Sequence, residues 1–239
     1  MNERADANRY DDFAAAYAQD NETNVWNACY ERPGTLALAG DVRGLRVLDA
    51  GCGSGALAAA LAGGGAAVTG IDLSASLLEI AARRLGPAVA LRQADLGEPL
   101  PFADGSFDLV VASLVLHYLE DWVPALSEFH RLLVPGGRLV ISTHHPFMDH
   151  RVARQPDYFA IYQWTDEWVK AGQVITMRFW HRPLHAMTDA LGKGGFKLDV
   201  LSEPQPQMAA SELSPDAFGY LSTHPHFLFL SAHRDSAVG

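Results

Sequence analysis

The chain has 239 residues, 49% hydrophobic and 19% charged, enough apolar side chain to close a core, which excludes a disordered chain, a collagen and a disulfide-stapled miniprotein. Its 28 acidic against 18 basic residues give a formal net charge of -10, which argues against a broad nucleic-acid footprint, since that needs a basic stripe. The two cysteines, Cys29 and Cys52, have no metal-ligand spacing, and the longest weakly polar stretch, residues 56–68, is too short to cross a bilayer, so the expectation is a cytoplasmic monomer or homodimer with no nucleic-acid, membrane or metal partner.

In residues 6–32, Tyr10, Phe13 and Tyr17 fall at helical spacing and are followed by Val25, Trp26, Cys29 and Tyr30. This predicts two amphipathic helices ending before Pro33, within an N-terminal helical lid over residues 1–40. From Leu45 strands and helices alternate: LRVLDA, a helix over 56–62, AAVTGID, a helix over 74–85, AVALRQAD, FDLVVAS, a helix over 122–133, and GRLVIST. Such alternation predicts βαβ units and a parallel sheet covered on both faces, forming a core over residues 41–145. Residues 146–182 break the rhythm with Tyr158, Trp164, Trp168, Phe179 and Trp180 around Gly172. They read as an antiparallel hairpin inserted after the fifth strand, serving either as an edge ribbon with a buried face or as the wall of an apolar substrate pocket. Residues 183–239 return to the core through a helix over 184–191, a strand over 196–201, a Pro-rich loop over 204–215 and a last strand around 226–232.

In open α/β sheets ligands bind beyond the carboxyl ends of the strands. Three of those ends carry a carboxylate: Asp49 in VLDAGCGSG, Asp72 in GIDLS and Asp95 in QADL. Gly51, Gly53 and Ala56 fit a dinucleotide fingerprint, with Asp72 about 20 residues on. Asp49 opposes that reading, because a carboxylate beside the loop repels a pyrophosphate. S-adenosylmethionine carries an ammonium and a sulfonium in place of phosphate, and acidic neighbours favour it. Asp72 suits the ribose diol, and Asp95 with the backbone at Leu96 suits the adenine.

VLDAGCGSG, GIDLS, QADL, FDLVVASLVLHYL and LLVPGGRLVIS together resemble the class I S-adenosylmethionine-dependent methyltransferases, in particular the type 11 small-molecule branch, over residues 10–143. The resemblance implies a Rossmann-like three-layer α/β sandwich whose seven-stranded, mostly parallel sheet has the order 3-2-1-4-5-7-6, the last strand antiparallel. It also implies cofactor contacts from Asp49, Gly51, Cys52 and Gly53 to the methionine part, from Asp72 and Leu73 to the ribose, from Asp95 and Leu96 to the adenine, and from Ser113 over the methionine moiety.

Transfer of a methyl group in line needs alignment and a dry pocket, and a base only where the acceptor must lose a proton. His117 follows the fourth strand and His144 and His145 the fifth, so these three are the catalytic candidates; alternation lets only one of the adjacent pair face the donor. Tyr17 and Tyr30 of the lid and Arg178 of the insertion are the candidate contacts to a small organic acceptor. The alternatives are a nicotinamide-dependent oxidoreductase on the same fold and an inactive S-adenosylmethionine-binding module.

Overall fold

The computed structural model describes residues 8–170 and 173–236. Seven strands form the main sheet: β1 (Arg46–Ala50), β2 (Ala67–Asp72), β3 (Ala90–Gln93), β4 (Phe107–Ser113), β5 (Leu133–His144), β8 (Phe196–Ser202) and β9 (Phe227–Arg234). Their order is β3-β2-β1-β4-β5-β9-β8, and β9 runs antiparallel to both neighbours. Counted within this sheet, that is the expected 3-2-1-4-5-7-6. The central strands are apolar on both faces because both are covered. Val47, Leu109 and Val140 pack against Leu57 and Leu61 of α3 (Ala56–Gly63), while Leu48, Val110 and Ile141 share a cluster with Leu126 and Phe129 of α5 (Val123–Leu132) and Leu191 of α7 (Leu184–Lys193). At the opposite end from the site, Arg46 and Asp108 pair at 2.8 Å, tying the starts of β1 and β4.

The N-terminal region departs from the expected pair of helices ending at Pro33. After α1 (Ala14–Thr23), a π-turn (Asn27–Glu31) leads directly into α2 (Arg32–Ala39), so the helix runs through Pro33. Proline has no N–H to give the carbonyl four residues back and its ring crowds that carbonyl. The widened turn relieves the conflict: the Arg32 N–H bonds the carbonyl of Asn27, and the Cys29 carbonyl, left without a helical donor, accepts from the Gln207 N–H at 2.8 Å. Residues 1–7 of the expected lid lie outside the described residues.

The insertion also differs at its start. Residues expected to open the hairpin form α6 (Pro146–Ala153), because His145 turns its ring back to accept from the Phe147 N–H at 3.3 Å and Pro146 suits a first helical turn. The hairpin follows as β6 (Tyr162–Lys170) and β7 (Gln173–His181); Gly172 lies outside the described residues. One face of it is buried, with Trp164, Met177 and Phe179 packed on Phe13, Tyr10, Tyr17 and Tyr118. The Pro-rich loop holds two short helices, α8 (Ala209–Leu213) and α9 (Pro215–Leu221).

The turn after β1 depends on Gly51. Its φ is +82°, and a Cβ there would stand 2.6 Å from Cγ2 of Val115 and 2.8 Å from its Cβ, so a side chain would meet both backbone strain and a packed neighbour. Gly51→Ala is therefore expected to lower stability by about 2–4 kcal/mol, the sum of a left-handed backbone cost and overpacking, read as a shift of the urea midpoint.

Candidate active site

A cleft of about 1400 Å³ opens where β1 to β4 end at their carboxyl termini. The glycine turn supplies Asp49, Gly51, Cys52 and Gly53, β2 supplies Asp72 and Leu73, the turn after β3 supplies Asp95 and Leu96, and β4 supplies Ser113. Tyr17 of α1 and Arg178 of β7 also line it.

Asp49 is 1% exposed and neither carboxylate oxygen has a hydrogen-bond partner. Burial, reinforced by the charges of Asp72 and Glu31, pushes its carboxyl up to about 8. Asp72 is better supplied. Its Oδ2 accepts from the Gly53 N–H at 2.8 Å and its Oδ1 from the Ser74 N–H at 2.9 Å, so it ties the glycine turn to α4 (Ala75–Leu85), whose N-cap is Ser74. Burial still raises its carboxyl above the ordinary carboxylate range, against the pull of those N–H donors. Asp95 accepts from the Gly97 N–H at 2.8 Å, a local turn that leaves its second oxygen uncommitted. Burial and then the charges of Asp49 and Asp72 push the Cys52 thiol up, which removes it as a thiolate nucleophile.

The N-terminal segment crosses this cleft. Asp11 accepts from the Ser74 hydroxyl at 2.6 Å and the Ser76 N–H at 2.9 Å, and these donors lower its pKa. Three residues earlier the Asn8 side chain donates to the Arg178 carbonyl at 2.8 Å and accepts from the Arg178 N–H at 2.7 Å. Tyr17 accepts from the Asn21 side chain at 3.0 Å, and burial pushes its phenol up to about 12. The Tyr10 and Tyr118 hydroxyls meet at 2.5 Å.

Four expected site residues fall elsewhere. Tyr30 is buried against Phe227 and Phe229 of β9; the π-turn carries its neighbour Glu31 into the cleft instead. His117, His144 and His145 do not line the cleft. His145 belongs to the framework, capping α6 and meeting Glu203 at 2.7 Å. His117 and His144 stack at 4.0 Å between ring centroids behind Tyr118, and burial holds the His117 pKa well below that of a free histidine. His144 Nδ1 lies 3.2 Å from the buried Asp149 carboxylate, with 11% of its side chain exposed. Sequence reasoning missed Glu31 and Asp11, since no motif spacing marks either.

Among the described residues no helix is long and apolar enough to cross a membrane, and no group of three or more His, Cys, Asp or Glu side chains could hold a metal ion.

Residues 48–141 match a family model described as a methyltransferase domain. The chain is 38% identical over 135 residues to a demethylmenaquinone methyltransferase of Clavibacter sepedonicus, covering 55% of each chain. It is 35% identical over 143 residues to a malonyl-[acyl-carrier protein] O-methyltransferase of Erwinia billingiae, covering 60% of this chain and 55% of that one. It thus spans about half the length of these curated relatives. The likeness extends further to the crystal structure of an S-adenosylmethionine dependent methyltransferase from Mesorhizobium loti, at 29% identity and a TM-score of 0.68, covering 90% of this chain and all of that one. The methyltransferase domain over residues 48–141, the sheet order and the structural relatives agree on the fold of a class I S-adenosylmethionine-dependent methyltransferase.

Proposed function

We propose that the protein transfers a methyl group from S-adenosylmethionine to a small organic acceptor. The observation that carries this reading is Asp49. A carboxylate buried without a donor is costly, and at the end of β1, beside a glycine turn and a second carboxylate at Asp72, the guest that offsets the cost is a cation. S-adenosylmethionine brings an ammonium and a sulfonium, whereas the pyrophosphate of a nicotinamide dinucleotide would meet like charge. The similarity to a demethylmenaquinone methyltransferase and to a malonyl-[acyl-carrier protein] O-methyltransferase supports the small-molecule class.

In this reading Asp49 and the Gly51–Gly53 backbone hold the methionine part, Asp72 the ribose, and Asp95 with Leu96 the adenine. When bound, the cofactor supplies a methyl group on a positive sulfur, an electrophile that needs no further activation. The chain's own work is alignment and exclusion of water: Tyr10, Tyr17 and Tyr118, backed by Phe13, wall the cleft on the lid side. His117, His144 and His145 do not line the cleft, so none of them is assigned the removal of a proton from the acceptor. Arg178 and Tyr17 are the candidate contacts to the acceptor.

Incubation with methyl-labelled S-adenosylmethionine and a fractionated cell extract is expected to label a compound of low mass; label confined to protein or nucleic acid would sink the acceptor class. Asp72→Ala is expected to weaken S-adenosylhomocysteine binding by about 1.5–3 kcal/mol, the range for a hydrogen bond to a charged group, measured by calorimetry.

Binding should also depend on pH through Asp49. Its carboxyl is protonated below about 8 in the free protein, and a cationic guest favours the ionised form, so binding releases a proton. Affinity is expected to rise as pH increases toward about 8 and then level, while Asp49→Asn flattens the profile. His145→Ala is expected to cost about 1 kcal/mol of stability through the lost helix cap, seen in thermal melts.

A further inference from the structure

The cleft holds one more buried acid than its sequence motifs account for. Glu31 ends the π-turn, is 4% exposed and lines the cleft. Its Oε1 accepts three hydroxyls, from Thr35 at 2.7 Å, Ser113 at 2.7 Å and Ser142 at 2.5 Å. No hydrogen bond reaches Oε2 among the described residues. Hydroxyls orient a carboxylate without cancelling its charge. The nearest guanidinium in sequence, Arg32, also lines the cleft but donates to the Asn21 carbonyl and side chain, both at 2.9 Å, and not to Glu31. The charge of Glu31 is felt across the cleft, where it opposes ionisation of Asp49. Two acids facing one cleft, one held by three hydroxyls and the other buried without a hydrogen-bond partner and protonated until a cation arrives, make a site that gains most from a cation carrying several N–H donors.

We propose that Glu31 is a cofactor-binding residue that acts with Asp49 on the ammonium of the amino-acid end of S-adenosylmethionine. The inference rests on the methyltransferase reading above and extends it to a residue outside the glycine turn and the strand-end carboxylates. Thr35, Ser113 and Ser142 set the direction of the carboxylate, so α2, β4 and β5 all register on one side chain. A thionucleoside without an amino-acid end would gain nothing from Glu31.

Two ligands separate this role from a purely structural one. S-adenosylhomocysteine carries the ammonium, and 5′-methylthioadenosine keeps the thionucleoside but lacks the amino-acid part. In calorimetric titrations, Glu31→Gln is expected to weaken S-adenosylhomocysteine by about 10- to 100-fold, the loss of one charge-assisted hydrogen bond, with 5′-methylthioadenosine unchanged. Unchanged affinity for S-adenosylhomocysteine overturns the proposal. An equal loss for both ligands overturns it too, because Glu31 would then only brace the walls. Should the Gln variant fail to fold, Glu31→Asp, which keeps the charge but withdraws it by one methylene, supports the same comparison. A wild-type protein that binds neither ligand overturns the cofactor reading itself, an outcome distinct from failure at Glu31 alone.

Discussion

The site is organised by three carboxyl groups that no basic side chain pairs among the described residues. Glu31, Asp49 and Asp72 face one cleft at the ends of the parallel strands, and burial together with mutual repulsion raises the pKa of Asp49. Keeping such groups together requires a rigid frame. The sheet supplies it through central strands buried on both faces, and Asp72 supplies part of it directly by holding the Gly53 N–H and the Ser74 N–H. These acids favour a guest that places an ammonium among them, since its charge allows Asp49 to ionise.

Much of this frame was legible in the sequence because the features that build it are local. The glycine turn, the acids at the ends of β1 and β2 and the one after β3 each lie within a few residues of the strand that positions them, and the periodicity of 45–143 gives the βαβ order. Glu31 was not legible. The hydroxyls that orient it from β4 and β5 lie 82 and 111 residues away, and its direction depends on a widened helical turn forced by Pro33. An ordinary reading ends the helix at the proline and selects the aromatic Tyr30. In the folded chain that tyrosine packs on β9 and the acid beside it faces the cleft.

The histidines illustrate the opposite limit. Alternation along an extended strand separates His144 from His145, but β5 ends at His144 and the next residue caps a helix. The pair is split by a change of secondary structure, not by the pleat. His144 enters a buried group with His117, Asp149, Trp164 and Phe179. The aromatic insertion likewise serves two purposes: Trp164 and Phe179 pack inward, while Gln163, Arg178 and Trp180 on the other face line the cleft.

The segment that crosses the cleft is fastened at two polar points, Asp11 to the start of α4 and Asn8 to the backbone of β7. Tyr10 between them and Phe13 two residues beyond Asp11 add apolar contacts to the hairpin. Short polar fastenings of this kind exchange readily with water, so the segment can let go without unfolding the sheet beneath it. A nucleoside leaving from under it needs at least one fastening undone. Under the proposed function, release of the product nucleoside and opening of this segment are coupled, so the opening rate of the strap enters the pace of turnover.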